Sequence, residues 1–269
     1  MTAKRLVLAG VMCAALAACS THKGPAERRP APLPEPGAPA PPHDAPPPPP
    51  DRQTPPPAAA LPDFRTGGGL LARHQRIVDE ARKGGHEIAF LGDSITEGWA
   101  GAGRAEWERT WAPRHAINCG IGGDRTQHVL GRLDHGLLEA LSAPNNDIKW
   151  VVLMIGTNNT GSDNAEQIAA GIRAIVDELH RGLPSARILL INVFPRGEWP
   201  NPLRDTIDAV NVRIAGLIDG VHVVGMDLGP KFLRPDGELP ASIMPDYLHP
   251  SAAGYAIWSE ALMPVVLGT

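Results

Sequence analysis

Between residues 87 and 263 the chain alternates short, nearly continuous apolar runs with longer segments whose apolar residues recur at helical spacing. The runs fall at 87–91, 115–118, 148–155, 187–193 and 221–225, and the helical segments at 104–111, 125–134, 165–181, 203–219 and 251–263. A strand that is apolar at nearly every position has to be covered on both faces, as in a parallel sheet. Helices between consecutive strands supply that cover and the crossovers that parallel pairing needs. The pattern therefore predicts one α/β domain of three layers, with helices on both sides of the sheet. Within 165–181, Ile168, Ile172, Ile175, Val176 and Leu179 form a single apolar stripe, the mark of a helix with one face on a core. Asp124 followed by Gln127 has capping-box spacing and is predicted to open the helix at 125–134. A further helix at 69–83 is entered through Gly67-Gly68-Gly69 and stopped by Gly84-Gly85. No internal repeat is present.

The first 62 residues do not share this pattern. Residues 1–19 read as an export signal: Lys4 and Arg5, an apolar stretch from Leu6 to Ala18 that is short for a membrane span, then small residues before Cys19. That ending resembles a bacterial lipobox, which implies a lipid anchor on Cys19, a cell-envelope location and, in a Gram-negative host, the outer membrane. Residues 25–62 hold 17 of the 29 prolines. Proline fixes φ and lacks an N–H, so the 20–62 segment is predicted to be a disordered or polyproline-like spacer, with a PxxP ligand as the alternative. The folded domain is predicted over 63–269. Once Cys13 and Cys19 are set aside only Cys119 remains, so no internal disulfide is expected. Cys119 is either a reactive thiol or, ending the run Ala116-Ile117-Asn118, a small buried residue. The net charge of −4 and the lack of a basic-aromatic stripe argue against a nucleic-acid partner. The scattered histidines and the absence of a cysteine cluster give no support to a metal site, and no cofactor is called for.

Four polar punctuation marks fall after strands or just before the last helix. They are Gly92-Asp93-Ser94, Gly120-Ile121-Gly122-Gly123-Asp124, Gly156-Thr157-Asn158-Asn159 and Asp246-Tyr247-Leu248-His249. In an open α/β sheet, ligands gather outside the carboxyl ends of the strands, so these marks are expected to converge. Together they hold the parts of a serine esterase. Ser94 opens a short helix whose N-terminal dipole favours the charge that grows during attack. His249 can take the serine proton and return it to the leaving alcohol, and Asp246 can hold the imidazole tautomer. The Ser94 N–H, the Gly123 N–H and the Asn158 amide are the candidate oxyanion donors. Taken singly, each has a simpler reading as a cap, a turn or a surface pair; it is their joint order that carries the assignment.

These residues resemble the SGNH (GDSL) hydrolase superfamily, whose Ser, Gly, Asn and His correspond to Ser94, Gly123, Asn158 and His249. Within it, the chain looks like the catalytic subunits of intracellular platelet-activating-factor acetylhydrolase. Besides the four marks, Pro195-Arg196-Gly197-Glu198 and Asn201-Pro202-Leu203-Arg204 carry the likeness. The resemblance implies a flavodoxin-like five-stranded parallel sheet, removal of short acyl groups, chiefly acetyl, and a homodimer. By position it implies that Ile95, Thr157 and Leu248 wall the acyl pocket. Arg196 is left between holding substrate and a structural ion pair. The leader and proline-rich segment depart from the mammalian pattern and shift the expected substrate toward acetylated glycans of the envelope. Phospholipids, thioesters and glycan binding without turnover are the alternatives.

Overall fold

The computed structural model describes residues 55–268. The leader, Cys19 and most of the proline-rich segment lie outside the described residues.

Five strands pair in parallel in the order β2-β1-β3-β4-β5. They are β1 (Ile88–Gly92), β2 (Ala116–Gly120), β3 (Trp150–Met154), β4 (Arg187–Ile191) and β5 (Val223–Met226). This is the flavodoxin-like strand order, and its switch point lies between β1 and β3. Among the described residues the five longest helices are α1 (Leu70–Lys83), α2 (Thr126–Arg132), α3 (Ala165–Gly182), α4 (Pro202–Ile214) and α5 (Ala252–Leu267). The three-layer α/β expectation is met.

Strand alternation sorts the core into two halves. Ala89 and Leu91 of β1 face one half with residues of α1, α2, α3 and α4. Ile88 and Phe90 face the other, which is built largely from aromatic rings and α5. There the Phe90 ring meets Trp99, Trp107 and Trp111 edge-on at 5.1–5.8 Å between centroids. Edge-to-face pairs at such spacing are each worth about 0.5–1.5 kcal/mol beyond the area they bury. This wall stands directly behind the β1 terminus, where the first polar mark lies.

Several local expectations are corrected. The segment predicted as a helix at 104–111 is one α turn, Arg104–Glu106, followed by a wide π turn, Trp107–Trp111, which brings both indoles onto Phe90. Asp124 does not cap α2: the N-cap is Arg125, whose N–H donates to His128 Nδ1 at 3.0 Å. Asp124 lies buried beneath, paired with Arg132 at 2.7 Å and with Arg65, because two guanidinium groups stabilise a desolvated carboxylate better than one cap N–H does. Residues 58–62, predicted as spacer, are packed in part: Ala58–Ala60 makes a 3-10 turn, Ala59 is buried, and its carbonyl accepts from Thr126 Oγ1 at 2.7 Å. Cys119 is fully buried, and burial pushes its thiol up to about 12, which makes it the small buried residue and not the reactive thiol.

Candidate active site

β1 ends at Gly92, where a Cβ would stand 2.3 Å from the Met154 carbonyl oxygen and 2.2 Å from Thr96 Oγ1, so only glycine lets the chain turn this sharply. Asp93 then caps the short helix Ser94–Glu97, its Oδ1 accepting the Ile95 N–H at 2.9 Å. Ser94 is thereby fixed as the first residue of a helical turn at the carboxyl edge of the sheet. From the far end of the chain, Tyr255 of α5 donates its hydroxyl to the Ile95 carbonyl at 2.6 Å and pins the turn from behind.

The segment before α5 brings the other two groups. His249 Nε2 lies 2.8 Å from Ser94 Oγ, and His249 Nδ1 lies 2.7 Å from Asp246 Oδ2. Asp246 Oδ1 also accepts the backbone N–H groups of Leu248 at 3.1 Å and His249 at 2.7 Å. One carboxylate thus shapes the tight loop and orients the ring that the loop carries. Its partial burial works against its charge, but the His249 ring and these N–H donors outweigh that and hold the carboxyl below the usual range.

Two turns complete the arrangement. Ile121–Asp124 closes with the Asp124 N–H on the Ile121 carbonyl at 3.2 Å, and Gly123 sits in the left-handed region at φ +72°. Among the described residues the N–H groups of Ser94 and Gly123 donate to nothing. Asn158, in the 3-10 turn Thr157–Asn159, donates from Nδ2 to the Asp124 carbonyl at 2.8 Å and reaches Asp93 Oδ2 at 3.4 Å. These contacts tie Asn158 to both the Ser94 turn and the glycine turn.

Beneath the site lies a buried charged layer that sequence reading missed. Arg132 donates to the carbonyls of Cys119 at 2.8 Å and Gly92 at 3.2 Å and pairs with Asp124, joining the ends of β1 and β2. Asp93 is wholly buried; burial, with the nearby Asp124 charge adding, pushes its carboxyl up to about 7. A carboxyl raised in this way binds its proton more tightly folded than unfolded. Its stability contribution is full below the unfolded value near 4 and is lost as pH rises toward 7. The difference in Tm between Asp93→Asn and the parent protein is therefore expected to shift in favour of the variant from pH 4 to pH 7. Thermal denaturation at a series of pH values reads this out, and a constant difference contradicts it.

The remaining predicted site residues are placed as follows. Ile95 and Thr157 are buried, next in sequence to Ser94 and Asn158, and Leu248 is half-buried next to His249. Arg196 makes no ion pair among the described residues; its Nη1 donates to the Thr157 carbonyl at 3.2 Å and lies 3.4 Å from Thr157 Oγ1. A groove of about 560 Å³ runs beside the triad, lined by Arg196, Asn201, Leu203, Asp246, Tyr247 and Leu248 among others. A larger recess of about 760 Å³ between α4 and the 229–237 segment contains none of Ser94, Asp246 and His249, whereas the smaller groove is lined by Asp246. Among the described residues no three His, Cys, Asp or Glu side chains are grouped to hold a metal ion.

Residues 90–257 match the GDSL-like lipase/acylhydrolase family. The chain is 38% identical over 209 residues to the platelet-activating factor acetylhydrolase IB subunit alpha1 of Pongo abelii, covering 76% of this chain and 86% of that one. A solved structure from Streptococcus pneumonia superposes with TM-score 0.60 at 24% identity, over 73% of this chain and 94% of that one. An acetylxylan esterase from Geobacillus stearothermophilus superposes with TM-score 0.51 at 21% identity, over 67% and 93%.

Proposed function

Because the chain belongs to the GDSL-like lipase/acylhydrolase family, we propose that it hydrolyses short acyl esters, chiefly acetyl, with Ser94, His249 and Asp246 as a catalytic triad. The observation that carries this is the unbroken relay from Ser94 Oγ to His249 at 2.8 Å and on to Asp246 at 2.7 Å. Ser94 Oγ attacks the ester carbonyl while His249 Nε2 takes its proton. The tetrahedral oxyanion is held by the N–H groups of Ser94 and Gly123 and by Asn158 Nδ2. The long Asn158–Asp93 contact is the one that yields to the developing charge. The C–O bond then breaks, His249 gives its proton to the alcohol, and water repeats the sequence to free the acid.

Ile95, Thr157 and Leu248 wall the acyl end, and Arg196 acts on substrate through Thr157, which it holds. A pocket discriminates one methylene by about 1–3 kcal/mol, so acetyl is preferred while propionyl and butyryl are tolerated. Rates on p-nitrophenyl esters are expected to fall steadily from acetate to octanoate; rates that rise beyond eight carbons contradict the small pocket.

The alcohol side is assigned to acetylated envelope glycans. The lipobox-like Cys19 and the proline-rich segment support an enzyme tethered to the cell envelope by a lipid on Cys19. The platelet-activating factor acetylhydrolase relatives favour a second reading, a phospholipid acetyl ester. Acetate release from acetylated xylan or peptidoglycan, measured beside acetylated glycerophospholipid, separates the two. Metabolic labelling with radioactive palmitate, present in the full chain and lost in Cys19→Ser, tests the anchor. A homodimer is proposed from the family likeness alone, and sedimentation tests it.

A further inference from the structure

Gly122 and Gly123 are the two central residues of the turn Ile121–Asp124, and the peptide unit between them contributes both the Gly122 carbonyl and the Gly123 N–H. A trans peptide is planar, so these two groups point in opposite directions and turn together. With φ +72° at Gly123 the turn is of type II, and a flip of that one peptide unit converts it to type I and reverses the N–H. Two adjacent glycines place almost no steric bar on the flip. Something outside the turn has to choose.

Arg65 is in position to do so. Its Nη2 donates to the Gly122 carbonyl at 3.0 Å and also bonds Asp124 Oδ1. The preceding peptide unit is fixed separately, the Gly122 N–H donating to Glu97 Oε2 at 2.6 Å. Glu97 in turn faces Arg73 Nε at 3.1 Å, and Arg73 donates to the Gly120 carbonyl at 2.7 Å. Arg65 is delivered by a strap across α2: Asp63 N–H donates to the Gln127 carbonyl at 2.9 Å, and the Phe64 ring stacks on His135 at 4.1 Å. Asp124 keeps Arg132 as a partner when Arg65 is removed, so the buried charge does not by itself require Arg65.

We propose that Arg65 is a positioning residue for ester hydrolysis: by holding the Gly122 carbonyl it locks the Gly122–Gly123 peptide in the orientation that aims the Gly123 N–H at the substrate oxygen. The proposal rests on the oxyanion role given to Gly123 above. A cationic donor on the carbonyl also polarises the peptide unit and strengthens its N–H as a donor.

The test is steady-state hydrolysis of p-nitrophenyl acetate by the full chain, with Tm recorded for every variant. Deleting an oxyanion donor outright typically costs about 10²–10³ in kcat, so Arg65→Ala, which only frees the donor to turn away, is expected to cost about 10–100-fold. KM should stay within about threefold, because the ground-state carbonyl leans on the donor less than the oxyanion does. Arg65→Met, of similar length but without a donor, should match Arg65→Ala, and Arg65→Lys should recover much of the rate. A structural role would lower Tm and leave the kcat of the folded protein alone. Folded Arg65→Ala or Arg65→Met with kcat within twofold of the parent overturns the proposal, as does a loss confined to KM. If Arg65→Ala does not fold, the comparison of Arg65→Met with Arg65→Lys decides: equal kcat values overturn it. An active Ser94→Ala variant would remove the esterase reading itself, whereas an inactive one beside a fully active Arg65→Ala removes only the role of Arg65.

Discussion

Ser94→Ala is expected to lower kcat for p-nitrophenyl acetate by about 10⁴-fold or more, the range seen when a serine nucleophile is removed from a working triad. The geometry gives the reason. In the proposed mechanism the Ser94 hydroxyl donates to His249 Nε2, and Asp246 orients that ring, so without the hydroxyl His249 and Asp246 have nothing to activate. The loss should be strongly non-additive. His249→Ala alone is expected to cost nearly as much, and the double variant little more than either. Ser94 is only half-buried and the change removes a single oxygen, so the Tm of Ser94→Ala should stay close to that of the parent. Full activity in a folded Ser94→Ala protein would dismiss Ser94 as the nucleophile.

Asp246→Asn is the second large effect, and its direction follows from tautomers. The Asp246 carboxylate accepts a proton on His249 Nδ1 and so leaves Nε2 free to take the serine proton. An amide NH₂ at the same place donates to Nδ1 and puts the ring proton on Nε2, where it faces Ser94 as a donor. The amide oxygen can still accept the N–H groups of Leu248 and His249, so the loop should keep its shape. A fully buried triad aspartate is worth about 10⁴ in kcat; with its side chain 57% exposed here, solvent softens the effect to about 10³. A change below tenfold would mean that Asp246 merely braces the loop.

The layers of the fold were legible because each strand announces itself: Ile88 to Leu91 and Trp150 to Met154 are apolar at every position, which only a sheet buried on both faces needs. The candidate triad was legible as a proposal because its residues sit in short local patterns, with Asp246 and His249 three positions apart on one loop. The groups that hold the site in shape were not. Arg65 meets Gly122 across 57 positions, Arg73 meets Gly120 across 47, and Tyr255 meets Ile95 across 160. No local spacing rule reaches that far, and an arginine reads as a surface residue until the backbone carbonyls it serves are in place. Asp124 was misread for the same reason: its partner Arg132 lies two helical turns on, where nothing in the pattern marks it as buried. Asp93 was seen only as part of a signature. That it is a capping carboxylate in a dry interior is a tertiary fact.

The pairing of Ser94 with His249 spans 155 positions and joins the turn after β1 to the loop before α5. A chain clipped ahead of Asp246 keeps Ser94 but lacks the imidazole and the carboxylate that align with it. In the proposed mechanism the site is assembled only when the loop that carries His249, just ahead of the sixteen-residue helix α5, has reached Ser94. The proposed mechanism therefore makes ester hydrolysis depend on the C-terminal segment being in place.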